Sequence, residues 1–185
     1  MAATVSHPIT AEQLECIHDD WGRKFELLEG RLVVMEPTGG AQGVAVSAVN
    51  CLLGSWIRER RLGISLTNEP GFILDRGPDT VRSPDFAFIR AERVPDPVPD
   101  GYLRMAPDFA VEVVGKDEKV ASVHDKARMW LRAGVGELWV VDPRDRTATV
   151  HLRDREPQTF SEDEEIAASG PLAGFSCRVS ELLDF

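Results

Sequence analysis

The sequence predicts a mixed α/β (α+β) domain in which helices pack on a mixed β-sheet, with a helix and a hairpin at the N-terminal end. Three observations carry the prediction. Apolar runs of strand length recur along the chain; one stretch, 44–61, has apolar residues at helical spacing instead, and a second, 117–133, reads as a helix closed by Gly134. The second of these lies between two strongly apolar strands, the arrangement of a crossover joining parallel neighbours.

The elements follow in order. Thr10 is placed to cap a helix, with Gln13 at the capping-box position and Leu14 and Ile17 on its apolar side. Residues 25–35 read as a hairpin because Glu29-Gly30 is a turn signal between two apolar strands. Residues 37–43 are expected to be a loop. A helix follows over 44–61, carrying Val46, Val49, Leu52, Leu53, Trp56 and Ile57 and ending in basic residues that suit its dipole. Residues 64–74 should form two short strands interrupted at Glu69-Pro70-Gly71, with a turn-rich stretch over 75–79. Two strands opened by Pro84 and Pro107 come next, separated by the proline-rich connector 94–101. The second helix, 117–133, is closed by Gly134. Residues 137–141 form an apolar strand, which Asp142-Pro143-Arg144-Asp145-Arg146 turns into a strand over 147–152. The tail alternates acidic loop with short apolar pieces.

With 185 residues, 43% hydrophobic and 28% charged, the chain is long enough for one domain spanning 1–185 that needs no disulfide. Cys16, Cys51 and Cys177 are odd in number and lack a zinc spacing, so buried free thiols in a reducing, cytoplasmic setting are expected. The start, Met1-Ala2-Ala3-Thr4, has neither the basic nor the apolar segment of a signal peptide. No window approaches the ~20 apolar residues of a membrane span, so no membrane partner is expected. The formal charge of -10 argues against nucleic acid, whose backbone is bound chiefly by Lys and Arg. A local basic face on Arg58, Arg60, Arg61 and Arg82 could still coexist with that total.

The chemistry lies in the two Pro-Asp strands. Strand alternation puts Asp108, Ala110, Glu112 and Val114 on one face and Phe109, Val111 and Val113 on the other. Glu112 is thus a charge within an apolar strand, costly unless compensated, whereas Asp108 marks the strand entrance. Asp85 opens the neighbouring strand, and pairing of the two strands would bring it near Glu112. Both are hard oxygen ligands suited to Mg²⁺ or Mn²⁺, with waters and a substrate phosphate completing the shell. A lysine from the next helix would orient or deprotonate the attacking water, with Lys126 first, Lys116 second and Lys119 facing solvent. His124 reads as a surface histidine, with its closeness to Lys126 making it an outside candidate for the site, Trp139 as core, and the run Glu162-Asp163-Glu164-Glu165 as a solvated loop.

Phe25-Glu26-Leu27-Leu28-Glu29-Gly30, Glu36-Pro37-Thr38, Pro84-Asp85, Ala106-Pro107-Asp108-Phe109-Ala110-Val111-Glu112-Val113, Asp125-Lys126, the run from Ala133 to Pro143, and Leu172-Ala173-Gly174-Phe175 occur in one order. Together they resemble the Uma-two family of restriction endonucleases, a branch of the PD-(D/E)XK nuclease superfamily, over about 9–183. The resemblance implies a restriction-endonuclease-like core, with Asp85 and Glu112 as metal ligands and a catalytic lysine displaced to the following helix, matching Lys126. An upstream glutamate, Glu29 or Glu26, resembles the acid that many members supply from their first helix or hairpin, and Glu29 joins the candidate catalytic set. In this sequence Val114 stands two residues after Glu112, Gln42 stands where the family often carries histidine, and Gly115 where serine often follows.

The implied function is a Mg²⁺- or Mn²⁺-dependent endonuclease hydrolysing DNA phosphodiesters, expected as a homodimer because cutting both strands of a duplex is simplest with two sites related by a two-fold axis. The alternative is a catalytically inactive nuclease-fold domain that binds nucleic acid or protein. A weaker third reading is a protein-binding homodimer that uses exposed strand edges.

Overall fold

Thr10 caps the first helix through the predicted reciprocal pair. Its Oγ1 accepts the Gln13 N–H at 3.2 Å, Gln13 Oε1 accepts the Thr10 N–H at 2.9 Å, and α1 runs over Ala11–Glu15. The computed structural model describes residues 7–17 and 24–184, so the Met1 to Thr4 start lies outside the described residues. Strands β1 (Lys24–Leu28) and β2 (Arg31–Met35) form the expected hairpin. Its turn residues Glu29 and Gly30 have φ of 50° and 74°, the left-handed pair that a two-residue hairpin turn requires. Gly30 is needed twice over, since a Cβ there would lie 2.3 Å from the Pro8 Cβ.

The first long helix begins earlier than apolar spacing predicts. It comprises α2 (Gly40–Val49), a π-helical turn (Asn50–Gly54) and α3 (Ser55–Arg60), and closes on Arg61 in the left-handed region. Its buried residues Ala45, Val49, Leu53 and Ile57 fall every fourth position, which drifts around a helix of 3.6 residues per turn. The wider π turn resets the phase and keeps all four on the sheet. At 21 residues, Gly40–Arg60 is long and apolar enough by length and composition to cross a bilayer, contrary to the sequence expectation. Ala45, Val49, Leu53 and Ile57 of this segment belong to one core cluster with Phe86, Phe109, Val111 and Trp139.

Strands β3 (Gly63–Thr67), β4 (Phe72–Asp75), β5 (Thr80–Arg82), β6 (Phe86–Arg90) and β7 (Phe109–Val113) lead to helix α4 (Val120–Ala133), capped by Gly134 at φ 117°. Then come β8 (Glu137–Asp142), β9 (Thr147–Leu152), β10 (Gln158–Ser161), β11 (Glu165–Ala167), β12 (Ser176–Arg178) and α5 (Val179–Leu183). Six strands form the main sheet in the order β10-β9-β8-β7-β6-β3; β7 and β8 are parallel, joined by the α4 crossover as predicted, and its other neighbours are antiparallel. A smaller sheet, β2-β1-β5-β4, carries α1 on its own apolar cluster of Ala11, Leu14, Leu27, Ile73 and Val81.

The main sheet is covered on both faces. Phe109, Val111 and Val113 of β7 point toward α2, α3 and the tail, while Ala110 and Val114 point toward Val123, Ala127 and Trp130 of α4. This is the alternation expected from the sequence. Cysteine burial departs from expectation: only Cys177 is buried, whereas Cys16 and Cys51 are exposed free thiols.

Candidate active site

The chain leaves the small sheet at Arg82 and enters the main sheet at Phe86, and the three residues between are Ser83, Pro84 and Asp85. Pro84 lacks the N–H that would continue a ladder, so the small sheet ends here and the chain crosses to the main sheet at this junction. In the β6–β7 register Phe86 pairs with Val111, and one step further sets Asp85 against Glu112. Asp85 Oδ2 accepts the Val113 N–H at 2.7 Å, which ties the carboxylate to the end of β7.

Glu112 shares the face of β7 that meets α4. Two helix residues one turn apart grip it: Lys126 Nζ lies 2.7 Å from Oε2, and Trp130 Nε1 donates to Oε1 at 2.7 Å. Lys126 sits within the apolar stripe of Val123, Ala127 and Trp130, so its ammonium is carried inward. The Lys126 and Glu112 side chains are 11% and 4% exposed. The small sheet contributes Glu26, buried on β1, whose Oε1 accepts the Ser83 N–H at 2.7 Å and whose Oε2 lies 2.7 Å from Arg82 Nη1. Glu69, in the β3–β4 turn at φ 56°, pairs with Lys24 at 2.7 Å.

Charge within this cluster is unevenly compensated. Burial and then the neighbouring Glu112 push the Asp85 carboxyl up to about 7, with Glu69 adding to the rise and the Val113 N–H and Lys126 only partly opposing it. Burial also pushes Glu112 upward, against the pull of Lys126 and Trp130. For Lys126, burial disfavours the charge, but Glu112 and Glu26 outweigh it and hold the ammonium above its ordinary range. Lys126 is therefore a proton holder at neutral pH, suited to orienting an oxygen and offsetting negative charge rather than to deprotonating water.

The structure thus brings together Asp85, Glu112 and Lys126, three of the four candidates read from sequence. Glu29 is different: it is exposed in the hairpin turn, where its backbone N–H donates to Thr80 Oγ1 at 3.2 Å. Its neighbour Glu26 is the hairpin acid whose charge acts on Glu112 and Lys126. Strand alternation explains this, since Glu26 faces opposite to Leu27, which packs under α1. Lys116 and Lys119 are exposed. Asp108 is structural, as its role of strand entry suggests. Burial opposes its charge, but the Arg90 N–H and the Arg93 and Arg90 guanidiniums outweigh it and hold the carboxyl below its ordinary range.

Two expectations need correction. Arg82 does not belong to a basic face with Arg58, Arg60 and Arg61, because its guanidinium is paired with buried Glu26. His124 is half-buried rather than a surface residue, and its Nδ1 lies 2.7 Å from Nε2 of buried His151. Sequence reasoning missed Trp130, although its spacing of four from Lys126 on one helix was a readable signal. It also missed Glu69, which looked like turn chemistry, and Glu137, a fully buried acid. Glu137 accepts hydrogen bonds from the Ser169 and Gly170 N–H groups, the Ser169 hydroxyl and Trp139 Nε1.

The donor chemistry of this cluster fits a hard divalent cation. Asp85 is half-buried with Oδ1 accepting no hydrogen bond among the described residues, and it is repelled by two acids. Each Glu112 oxygen accepts one hydrogen bond and retains a lone pair. Among the described residues no group of three or more His, Cys, Asp or Glu side chains is arranged as a metal cage. A two-carboxylate site matches Mg²⁺ or Mn²⁺, which keep waters and share substrate phosphates, better than it matches Zn²⁺ or Ca²⁺.

Gln42 and Gly115 meet beside the end of β7. Gln42 Nε2 donates to the Val113 carbonyl at 3.1 Å, one residue past Glu112. A Cβ at position 115 would lie 3.1 Å from Glu118 Oε2 and 3.3 Å from Gln42 Oε1, so glycine leaves room for both side chains. The two departures noted in the sequence are therefore one local arrangement.

Comparison with known proteins agrees with this architecture. A family profile described as "Uma2: Putative restriction endonuclease" matches residues 11–180. No curated protein matches the chain. Among solved structures, the chain is similar to a crystal structure described as "a putative nuclease belonging to DUF820 from Anabaena variabilis ATCC 29413", with a TM-score of 0.80 over 95% of this chain and 98% of that one. Identity is 19%, so that likeness is one of fold.

Proposed function

The chain belongs to the Uma2 family, and from that membership we propose that it is a Mg²⁺- or Mn²⁺-dependent endonuclease that hydrolyses phosphodiester bonds of DNA at the junction of its two sheets. The observation that carries the reading is the convergence of Asp85, Glu112 and Lys126 from a sheet junction, a strand and a helix. Asp85 and Glu112 would hold the cation, which when bound supplies Lewis-acid polarisation of the phosphate and a more acidic water.

The remaining work falls to the chain. Trp130 fixes one Glu112 oxygen so that the carboxylate cannot rotate away, and Lys126 fixes the other. The protonated Lys126 lies at the rim of the same carboxylate, where it can donate to a non-bridging phosphate oxygen or the attacking water and offset charge as it develops. Glu26 sustains the ammonium, while its pairing with Arg82 and Ser83 keeps the junction in register with β7.

A homodimer is proposed for double-strand cleavage. A reducing compartment such as the cytoplasm accords with the exposed free thiols Cys16 and Cys51. A second reading, a nuclease-fold binding module without catalysis, is favoured by Gln42, whose amide cannot shuttle a proton near neutrality. Incubating supercoiled plasmid with the protein and Mn²⁺ or EDTA separates the two. Nicking or linearisation dependent on Mn²⁺ is expected, and its absence with well-folded protein would favour the binding module.

A further inference from the structure

We propose that a groove between the exposed face of α4 and the β9–β10 connection is a second contact for nucleic acid, taking the phosphodiester backbone rather than the bases. The groove has a volume of about 720 Å³ and is lined by Arg128 and Arg132, one turn apart on α4, and by Arg153 and Arg155 beyond β9. Lys126 points inward to Glu112 from the same helix, so one element serves the carboxylate cluster with its buried side and the groove with its exposed side.

Charge is the reason to assign a polyanion. The chain has 31 acidic against 21 basic residues, yet four arginines line this one concavity. Asp154 and Glu156 also line it, leaving two positive charges in excess. Arg128 is paired with Asp125, and Arg153 Nη2 donates to the Leu131 carbonyl at 3.3 Å. Arg132 and Arg155 are exposed and take part in no ion pair among the described residues, so their guanidinium forks are available. Arg132 also serves as a cation in the last turn of α4. Arginine is the side chain whose planar fork matches phosphate oxygens, and the absence of lysine from the groove favours that geometry over diffuse attraction.

The identity of the polyanion rests on the nuclease reading, and the test keeps the two separable. A short labelled DNA duplex is titrated in EDTA, where cleavage is silent, and binding is followed by fluorescence anisotropy at several salt concentrations. The variants are Arg132→Gln/Arg155→Gln, the charge-preserving Arg132→Lys/Arg155→Lys, and Arg58→Gln/Arg60→Gln as a charge-loss control on α3. Thermal unfolding verifies that each is folded. The glutamine pair in the groove should bind roughly tenfold more weakly, and the slope of log K against log salt should fall by about 2, as two phosphate contacts predict. The lysine pair should keep most of the slope, and the α3 pair all of it.

Equal binding by wild type and the groove variant, equal losses in both glutamine pairs, no binding by wild type, or displacement of the duplex by polyglutamate as readily as by unlabelled DNA would each overturn the groove. Plasmid cleavage in Mn²⁺ is scored in parallel. Arginine-dependent binding without cleavage would remove the nuclease reading and leave the groove. Cleavage with arginine-independent binding would do the reverse.

Discussion

Replacing Asp85 with asparagine should make the metal-free protein more stable while removing its proposed activity. Burial beside Glu112 pushes the Asp85 carboxyl from an ordinary 3.8 up to about 7. At about 1.4 kcal/mol per pH unit, holding it ionised above that pH costs the fold up to about 4 kcal/mol. Asp85 is half-buried, so solvent screens part of this, and about 2 kcal/mol is the expected net effect. Asparagine keeps an oxygen for the Val113 N–H and carries no charge. The sign follows from proton binding. Between pH 3.8 and 7 the folded state retains a proton that the unfolded state has released, so this contribution is lost as pH rises through 7. The advantage of Asp85→Asn should be near zero at pH 4 and full by pH 8. In a domain of this size it corresponds to roughly 4–8 °C in Tm. Thermal unfolding by circular dichroism in EDTA at intervals from pH 4 to 8 measures it. A variant that melts at or below wild type at pH 8, or a gap independent of pH, would refute the claim that Asp85 is under electrostatic strain.

Truncating Lys126 to alanine leaves Glu112 buried without its counter-charge and should cost about 3–5 kcal/mol in urea unfolding. Glu112→Gln/Lys126→Met should recover more than half of that loss, and failure to recover would mean the pair is not coupled. Trp130→Phe removes the indole N–H from Glu112 Oε1 together with part of a fully buried ring; a loss of at least about 1–3 kcal/mol is expected, and an unchanged urea midpoint would contradict the hydrogen bond. His151 titrates in the opposite sense to Asp85. Burial and then the charges of His124 and Arg128 hold it down to about 4, so as pH falls from 6.5 toward 4 the unfolded state takes a proton that the folded state refuses. Wild type should lose up to about 3 kcal/mol across that window relative to His151→Leu. Parallel pH profiles of the two urea midpoints would exclude this role.

The local features were legible because they rest on short-range rules. The Thr10–Gln13 capping box, the Glu29-Gly30 turn, the α4 crossover and the two faces of β7 follow from spacing alone. The early start of α2 was masked by glycines that weaken any helical reading, and the π turn is visible only once the four-residue spacing of Ala45, Val49, Leu53 and Ile57 is set against a sheet. At the site, burial cost selected Glu112 correctly, yet the same reasoning applies to Glu137, which backbone N–H groups of the tail satisfy. Distinguishing the two requires long-range contacts. So does choosing Glu26 over Glu29, because alternation gives Glu26 a face of β1 but only the pairing of the small sheet shows that this face meets Arg82 and Ser83.

Calorimetric titration of Mn²⁺ into wild type, Asp85→Asn and Glu112→Gln tests the central claim most directly. One saturable site in wild type, lost in both variants while each remains folded, is the predicted result. Undiminished binding in either variant would contradict the assignment of Asp85 and Glu112 to a single metal.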